Sequence, residues 1–303
     1  MPWSSDGPDE AELGGALEAT LSDWADRTHA QGGTVIAAHF PNPNGEPAVL
    51  VATGRADAVE MLAQSGDALL EYYRYLNCGY RLPLVGGTDK MSSDVPVGLY
   101  RTYAKLDEEF SYDAWCRAVR AGRTFLSGGP LLTLSVDGRE PGDTVALSGP
   151  GTVTVQATAH SIFPLRSLEI VRNGEVVARA DANGARQLEI SQGLRLDGNS
   201  WIACRAFGVD YHLDWWGRRV FAHTSPVYVA CGGDWTMADP EGLGYIRTLV
   251  EGAREYVRHT AVRRPDQLTT HHHGEADHLA WLERPFAEAL RALDERGRPS
   301  SGD

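Results

Sequence analysis

The 303-residue chain has few cysteines, almost no lysine and no long apolar run. Its four cysteines form no Cys-x-x-Cys pair, so we expect neither a disulfide framework nor a zinc finger. No apolar stretch approaches the roughly 20 residues that a membrane-spanning helix needs. The 28 basic residues against 41 acidic ones give a formal charge of −13, which argues against a nucleic-acid partner. Lys90 and Lys105 are the only lysines, and the other basic residues are arginines suited to fixed ion pairs.

The N-terminus also lacks the basic segment and apolar core of a secretory signal. As it stands, the chain is therefore expected in the cytoplasm; a preceding segment that carried a signal would make it secreted or periplasmic. A Gly-x-Ser-x-Gly elbow, a glycine-rich phosphate loop and a P-loop lysine motif are absent as well. The common nucleotide-binding and serine-hydrolase motifs are thus excluded, and we expect a small-molecule substrate of another class.

Residues 1–128 alternate between helical and short apolar strand patterns. Helices are predicted over 9–31, 48–56, 68–76 and 112–120, and strands over 34–38, 57–60, 82–85, 97–103 and 124–126. Short apolar strands separated by helices are typical of βαβ units and a parallel sheet. We therefore predict an α/β domain over residues 1–128.

The pattern changes after Gly128. Residues 129–232 contain short alternating strands at about ten-residue spacing, separated by turns such as Asp137-Gly138, Asn173-Gly174 and Asn183-Gly184. This pattern predicts an antiparallel β-sandwich domain. Residues 233–303 are expected to form a helical tail. The predicted fold class is thus α/β plus all-β.

Three of the predicted parallel strands end on an ionisable residue: His39, Glu60 and Asp89. Ligands of parallel α/β folds gather at the carboxyl ends of the strands. An imidazole and carboxylates are also the donors that bind a divalent transition metal and activate water. Each residue alone is equally consistent with a turn cap or an ion pair, but their recurrence at three strand ends favours a site.

The segments that carry these residues resemble a known family. Residues 32–41 (GGTVIAAHFP), 56–60 (ADAVE) and 76–89 (LNCGYRLPLVGGTD) look like the later part of a PHP-type (polymerase and histidinol phosphatase) metallohydrolase domain. Residues 115–130 (WCRAVRAGRTFLSGGP) resemble the segment that leaves this domain in the carbaryl-hydrolase-like branch, where a β-rich domain follows. The resemblance covers most of residues 30–230.

The resemblance implies a distorted β/α barrel that binds divalent ions (Zn, Mn or Fe) and uses hydroxide as the nucleophile. His39 matches a metal ligand of the family's His-Pro element, and Asp89 matches the aspartate of its closing Gly-Ser-Asp-x-His element. Glu60 lies in a matching strand without an inherited role, and is a candidate ligand or general base. Arg81, on its charge alone, is a candidate for orienting an anionic or carbonyl group.

The chain departs from this family in two ways. No His-x-His pair precedes His39, and Met91 stands where the family has its last histidine. A β/α barrel also needs about 200–250 residues, more than the 128 predicted here. We therefore expect a partial barrel that lacks its N-terminal part. The leading hypothesis is a metal-dependent hydrolase of esters, carbamates, amides or phosphoesters. The alternative is a non-catalytic remnant that binds a carbohydrate or a protein through its β-sandwich.

Two other clusters of polar and aromatic side chains stand out in the sequence. The tract His271–His278 is dense in metal-binding side chains, although a polar loop that caps the following helix is the favoured interpretation. Residues 211–216 and 223–226 combine aromatic and polar side chains, which favours a buried aromatic cluster over a sugar platform.

Overall fold

The structure is a computed structural model that describes residues 20–40, 46–61, 66–90, 93–213, 217–261 and 278–298. It is a mixed fold of helices and sheets, as the composition of predicted elements indicated. The α-helices are α1 (Leu21–Ala30), α2 (Glu46–Ala52), α3 (Gly66–Asn77), α4 (Tyr112–Arg120), α5 (Pro240–Tyr256) and α6 (His278–Arg296), and a π-helical turn spans Val257–Ala261.

The strands belong to three sheets. They are β1 (Ile36–Ala37), β2 (Ala58–Glu60), β3 (Leu84–Val85), β4 (Arg101–Ala104), β5 (Thr124–Ser127), β6 (Leu131–Val136), β7 (Thr144–Leu147), β8 (Gly151–His160), β9 (Leu165–Arg172), β10 (Glu175–Asp181), β11 (Gln187–Leu196), β12 (Ser200–His212), β13 (Arg219–Thr224) and β14 (Val227–Cys231). Among the described residues, no helix has the length and apolar character needed to cross a membrane.

The chain divides into two compact units. One contains the described residues of Met1–Val35, Asn42–Ala56 and Leu243–Asp303, and is helical. The other contains those of Ile36–Pro41 and Asp57–Gly242, and holds all three sheets. Helix α6 thus shares a unit with α1 and α2, and β1 belongs to the unit with the sheets although it precedes α2 in the chain.

Ion pairs between helices stabilise the helical unit. Arg55, which follows α2, donates through Nε and Nη2 to both carboxylate oxygens of Asp26 in α1, at 2.7 and 2.9 Å. Its Nη1 donates to Glu288 in α6 at 2.8 Å. One guanidinium therefore links three helices, in the planar two-pronged geometry that arginine provides. These contacts explain why α6 belongs to a unit with helices near the N-terminus.

The first three strands form a parallel sheet in the order β1-β2-β3. Ile36 pairs with Ala58, and Val59 pairs with Leu84. The strands are short and apolar, and Ala58, Val59 and Leu84 are fully buried. The described strands form an open parallel sheet, and its carboxyl edge is where the three predicted site residues emerge.

Strands β4 and β5 differ from the expectation of one parallel sheet over residues 1–128. They pair with each other antiparallel, and β5 pairs antiparallel with β13. They thereby extend a large sheet with the order β10-β9-β12-β13-β5-β4, to which β14 and β7 attach through β12. The sequence pattern reports that a segment is extended, but not which distant strand supplies its hydrogen bonds.

The third sheet is antiparallel, in the order β11-β8-β6. Its inward-facing residues share one apolar cluster with the large sheet, including Val153, Val155 and Leu134 on one side and Ile170 and Ile202 on the other. The Asp-Gly and Asn-Gly turns are present as expected: Asp137, Asn173 and Asn183 have φ of 47°, 51° and 44°, each followed by a glycine with positive φ. Such paired left-handed residues match the twist of antiparallel strands.

Candidate functional site

His39, Glu60 and Asp89 lie close together at the carboxyl edge of the parallel sheet. The backbone N–H of His39 donates to Glu60 Oε2 at 2.9 Å. His39 Nε2 lies 3.6 Å from Asp89 Oδ1. Residues 21 and 50 positions apart in sequence are thus brought together because β1, β2 and β3 are parallel neighbours.

The backbone at His39 and Asp89 is left-handed, with φ of 58° and 48°. The other described non-glycine residues with positive φ each precede a glycine in a turn, whereas Phe40 and Lys90 follow these two. Aspartate and histidine tolerate this conformation better than most residues, yet it still carries strain. Strained residues cluster at functional sites, so the paired outliers point to a function at this edge.

Glu60 anchors the turn at His39. Its Oε2 accepts the His39 N–H and its backbone carbonyl accepts the N–H of Phe40 at 2.8 Å. The residue is 9% exposed, and its buried Oε1 has no hydrogen-bond partner among the described residues. Burial raises the pKa of this carboxyl above 4.5, and the negative charge of Asp89 adds to the increase, while the His39 N–H, the His39 imidazole and the nearby Gly87 N–H oppose it.

The three groups differ in access to solvent. The side chains of His39 and Asp89 are 54% and 24% exposed, so both can meet a solute directly. Glu60 lies beneath them. The arrangement therefore offers an imidazole nitrogen and a carboxylate to solvent, above a buried carboxyl whose charge is incompletely compensated.

Arg81 is not brought to this cluster. It precedes β3, whereas Asp89 follows that strand. Its guanidinium lies 4.4 Å from the ring centre of Tyr228 and 5.3 Å from that of Trp235, and it donates to Thr144 Oγ1 at 2.7 Å. These contacts hold the Arg81 side chain at the amino end of β3, away from His39, Glu60 and Asp89.

The other predicted positions are partly outside the described residues. The tract His271–His278 lies outside them except for His278, the first residue of α6. Met91 and residues 214–216 also lie outside them. His223 is fully buried, with the rings of Tyr72, Tyr73 and Phe221 around it, so this part of the second aromatic stretch lies in the core.

A buried polar chain beside His223 has no counterpart in the sequence predictions. His223 Nδ1 lies 2.7 Å from the carbonyl oxygen of Thr224, and Nε2 lies 2.7 Å from Tyr73 Oη. Since a carbonyl only accepts, Nδ1 carries the proton and Tyr73 donates to Nε2. Arg205 donates to the Tyr73 oxygen at 3.1 Å and to Glu169 at 2.7 Å. Burial lowers the pKa of His223 to about 3, and the charge of Arg205 acts in the same direction.

A recess of about 460 Å³ is lined by several amides, including Asn77, Asn173 and Asn199. These amides already have internal partners. Asn77 accepts from the indole of Trp201 at 2.7 Å, and Asn199 donates to the carbonyl of Thr236 at 2.8 Å. A ligand would have to replace these hydrogen bonds, so we assign the amides a structural role.

Comparison with known proteins identifies no family for this chain. No family model matches it, and no curated protein matches it. Among solved structures, the chain is similar to the fibronectin(III)-like modules of CbhA from Clostridium thermocellum, at 20% sequence identity and a TM-score of 0.21. The match covers 33% of this chain and 96% of that chain. A TM-score this low does not establish a shared fold.

Proposed function

We propose that the chain is part of a metal-dependent hydrolase of the PHP type, with His39 and Asp89 as metal ligands. The observation that carries the proposal is the meeting of these two side chains, 3.6 Å apart, at left-handed positions outside any glycine turn. In the fold this proposal implies, the parallel sheet is a partial β/α barrel, and the two antiparallel sheets form a β-sandwich.

The donors fit a divalent ion in kind. An imidazole nitrogen and a carboxylate oxygen suit Zn, Mn or Fe. The buried Glu60 Oε1 adds an acceptor that no described residue satisfies. In number the donors fall short: among the described residues, no group of three His, Cys, Asp or Glu side chains is arranged to hold an ion. Since catalytic zinc takes three protein ligands, the proposal requires a further ligand from outside the described residues.

Each residue has a defined task in the proposed reaction. His39 and Asp89 would hold the ion, which when bound supplies Lewis acidity and an activated water. Glu60 fixes the His39 backbone through Oε2, and its raised pKa favours proton uptake at this carboxyl. Esters, carbamates, amides and phosphoesters are the substrate classes open to such a site.

Metal titration tests the proposal. The test uses the wild-type chain, and a variant with His271, His272 and His273 replaced by alanine is titrated in parallel to measure the share of binding that this histidine tract contributes. After chelation and dialysis, we expect Zn²⁺ or Mn²⁺ to bind in calorimetry with one equivalent, and His39→Ala or Asp89→Asn to weaken this binding about tenfold or more. His160→Ala, an exposed histidine on β8, is the matched control and leaves binding unchanged.

The result that overturns the proposal is equally specific. Substoichiometric binding, or binding that His39→Ala leaves intact, removes the metal site from this edge of the sheet. A hydrolysis panel of nitrophenyl ester, naphthyl carbamate and nitrophenyl phosphate, run with the titrated ion, then extends a positive result to the substrate class.

A further inference from the structure

The loop that carries Asp89 is attached to the large sheet. At its start, Thr102 of β4 binds Gly86 twice: the Gly86 N–H donates to Thr102 Oγ1 at 3.0 Å, and the same hydroxyl donates to the Gly86 carbonyl at 2.9 Å. At its end, the Thr88 hydroxyl donates to the carbonyl of Tyr100 at 2.9 Å. The position of Asp89 thus depends on residues from outside the parallel sheet.

Arg218 makes a further contact with this loop. Its Nη1 donates to the carbonyl oxygen of Thr88 at 2.6 Å, although the two residues are 130 positions apart. The side chain is 7% exposed, and it directly precedes β13. A buried guanidinium is costly unless it is hydrogen-bonded, so the short charge-assisted bond to the Thr88 carbonyl is expected to hold this part of the loop in place.

The accepting carbonyl has a direct geometric relation to Asp89. The Thr88 carbonyl and the Asp89 N–H belong to one planar peptide unit. When Arg218 fixes the carbonyl, it fixes the plane from which the Asp89 side chain is directed at φ of 48°. An aspartate in the left-handed conformation needs such support, because a strained backbone conformation persists only where several contacts with the surrounding structure hold it.

We propose that Arg218 is a positioning residue of the candidate site, which holds Asp89 in reach of His39 by fixing the Thr88 carbonyl. This inference rests on the proposed function for its consequence in metal binding. It assigns a role at the site to a residue that sequence patterns place in the β-sandwich domain, about 130 residues from the motif it serves.

The test compares Arg218→Ala and Arg218→Lys with the wild-type chain. We expect Arg218→Ala to weaken Mn²⁺ binding about tenfold, and lysine to restore part of it, because an ammonium can still donate one hydrogen bond to the carbonyl. In the metal-free protein, amide hydrogen exchange over residues 86–90 should accelerate in Arg218→Ala while exchange in β12 stays unchanged.

Arg205→Ala is the matched control. Arg205 is also a largely buried arginine of the large sheet, but its bonds go to Glu169 and Tyr73. It should lower the melting temperature without changing Mn²⁺ affinity or exchange over residues 86–90. If Arg218→Ala does not fold, the comparison is made between the wild type and Arg218→Lys.

The outcomes separate the two proposals. Unchanged affinity and unchanged exchange in the Arg218 variants overturn the positioning role. Equal effects from Arg205→Ala also overturn it, because they show general destabilisation. If the wild type binds no Mn²⁺ while exchange over residues 86–90 rises in Arg218→Ala, the metal proposal fails and the positioning of the Asp89 loop is supported.

Discussion

At the scale of single residues, two buried glutamates of this protein have opposite surroundings. Glu169 is 4% exposed and is bound by Arg205 and Arg179 at 2.7 and 2.9 Å. Glu60 is 9% exposed, and one of its oxygens has no partner among the described residues. The charge of Glu169 is compensated by two arginines. The charge of Glu60 is disfavoured by burial, so keeping this carboxyl ionised lowers the free energy of unfolding.

Replacing Glu60 by glutamine should therefore reveal this cost. The folded protein holds the Glu60 proton more tightly than the unfolded chain does. Protonated Glu60 therefore adds to the free energy of unfolding below pH 4.5, and this stabilisation is lost as the pH rises through the raised pKa. Glutamine has no such dependence. We expect the melting temperature of Glu60→Gln, relative to wild type, to rise as the pH increases from 4.5 through the raised pKa of Glu60, and to stay level above it.

Glu169→Gln is the control for this measurement. It leaves two guanidiniums without their carboxylate, and removal of one partner of a buried pair costs about 3–5 kcal/mol. Its melting temperature should lie below that of wild type at pH 8. A constant difference between Glu60→Gln and wild type across the pH range would show that Glu60 is not the strained carboxyl described here.

At the scale of elements, the sequence patterns located most segments but not their pairing. Helix α4 has the predicted limits Tyr112–Arg120, and strands β1, β2 and β3 lie within or next to the predicted strands. Local periodicity and turn chemistry determine such segments. The antiparallel partners of β4 and β5 depend on β13, about 100 residues away, and no local pattern encodes that contact.

Two asparagine turns offer a matched test of element pairing. Asn183 and Asn173 are both left-handed and both precede glycine, but Asn173 Oδ1 also accepts the backbone N–H of the fully buried Trp201 at 2.9 Å. We expect Asn183→Ala to cost about 1–2 kcal/mol for its conformation alone. Asn173→Ala should cost a further 1–3 kcal/mol or so, because a buried donor loses its acceptor. Denaturant unfolding measures both, and equal losses would contradict a role for Asn173 beyond its turn.

At the scale of the whole molecule, the sheet unit contains buried charged and polar groups that no sequence motif predicted. The chain from His223 through Tyr73 and Arg205 to Glu169 joins α3 to β13, β12 and β9. Its bonded neighbours are 36 to 150 positions apart in sequence and share no regular spacing. The three strand-end residues were predictable because parallel strands align their ends; this chain and Arg218 were not, since long-range packing alone unites them.

The buried imidazole should make the stability of the protein depend on acid. The pKa of His223 is lowered to about 3 in the folded state. Between pH 6.5 and pH 3, His223 is therefore protonated in the unfolded chain and neutral in the folded protein. Because of this difference, the free energy of unfolding is unaffected by His223 above pH 6.5. Below that pH it decreases by about 1.4 kcal/mol per pH unit, until the pKa of about 3 is reached.

Chemical unfolding as a function of pH checks this expectation. His223→Gln should give a flatter profile between about pH 6.5 and pH 4, whereas His160→Gln, at an exposed position on β8, should follow the wild type. Parallel profiles for wild type and His223→Gln would contradict the buried, neutral imidazole.

The attachment of the Asp89 loop to β4 and to Arg218 limits where recombination can divide this chain. A recombination breakpoint near residue 128, where the composition changes, would separate Gly86 and Thr88 from Arg218 and β5 from β13. Shuffling either half onto a foreign partner would then lose the local geometry as well as the sheet. We therefore expect natural chimaeras to inherit residues 36–41 and 57–242 together, and grafts in protein engineering to succeed only when they transfer both segments.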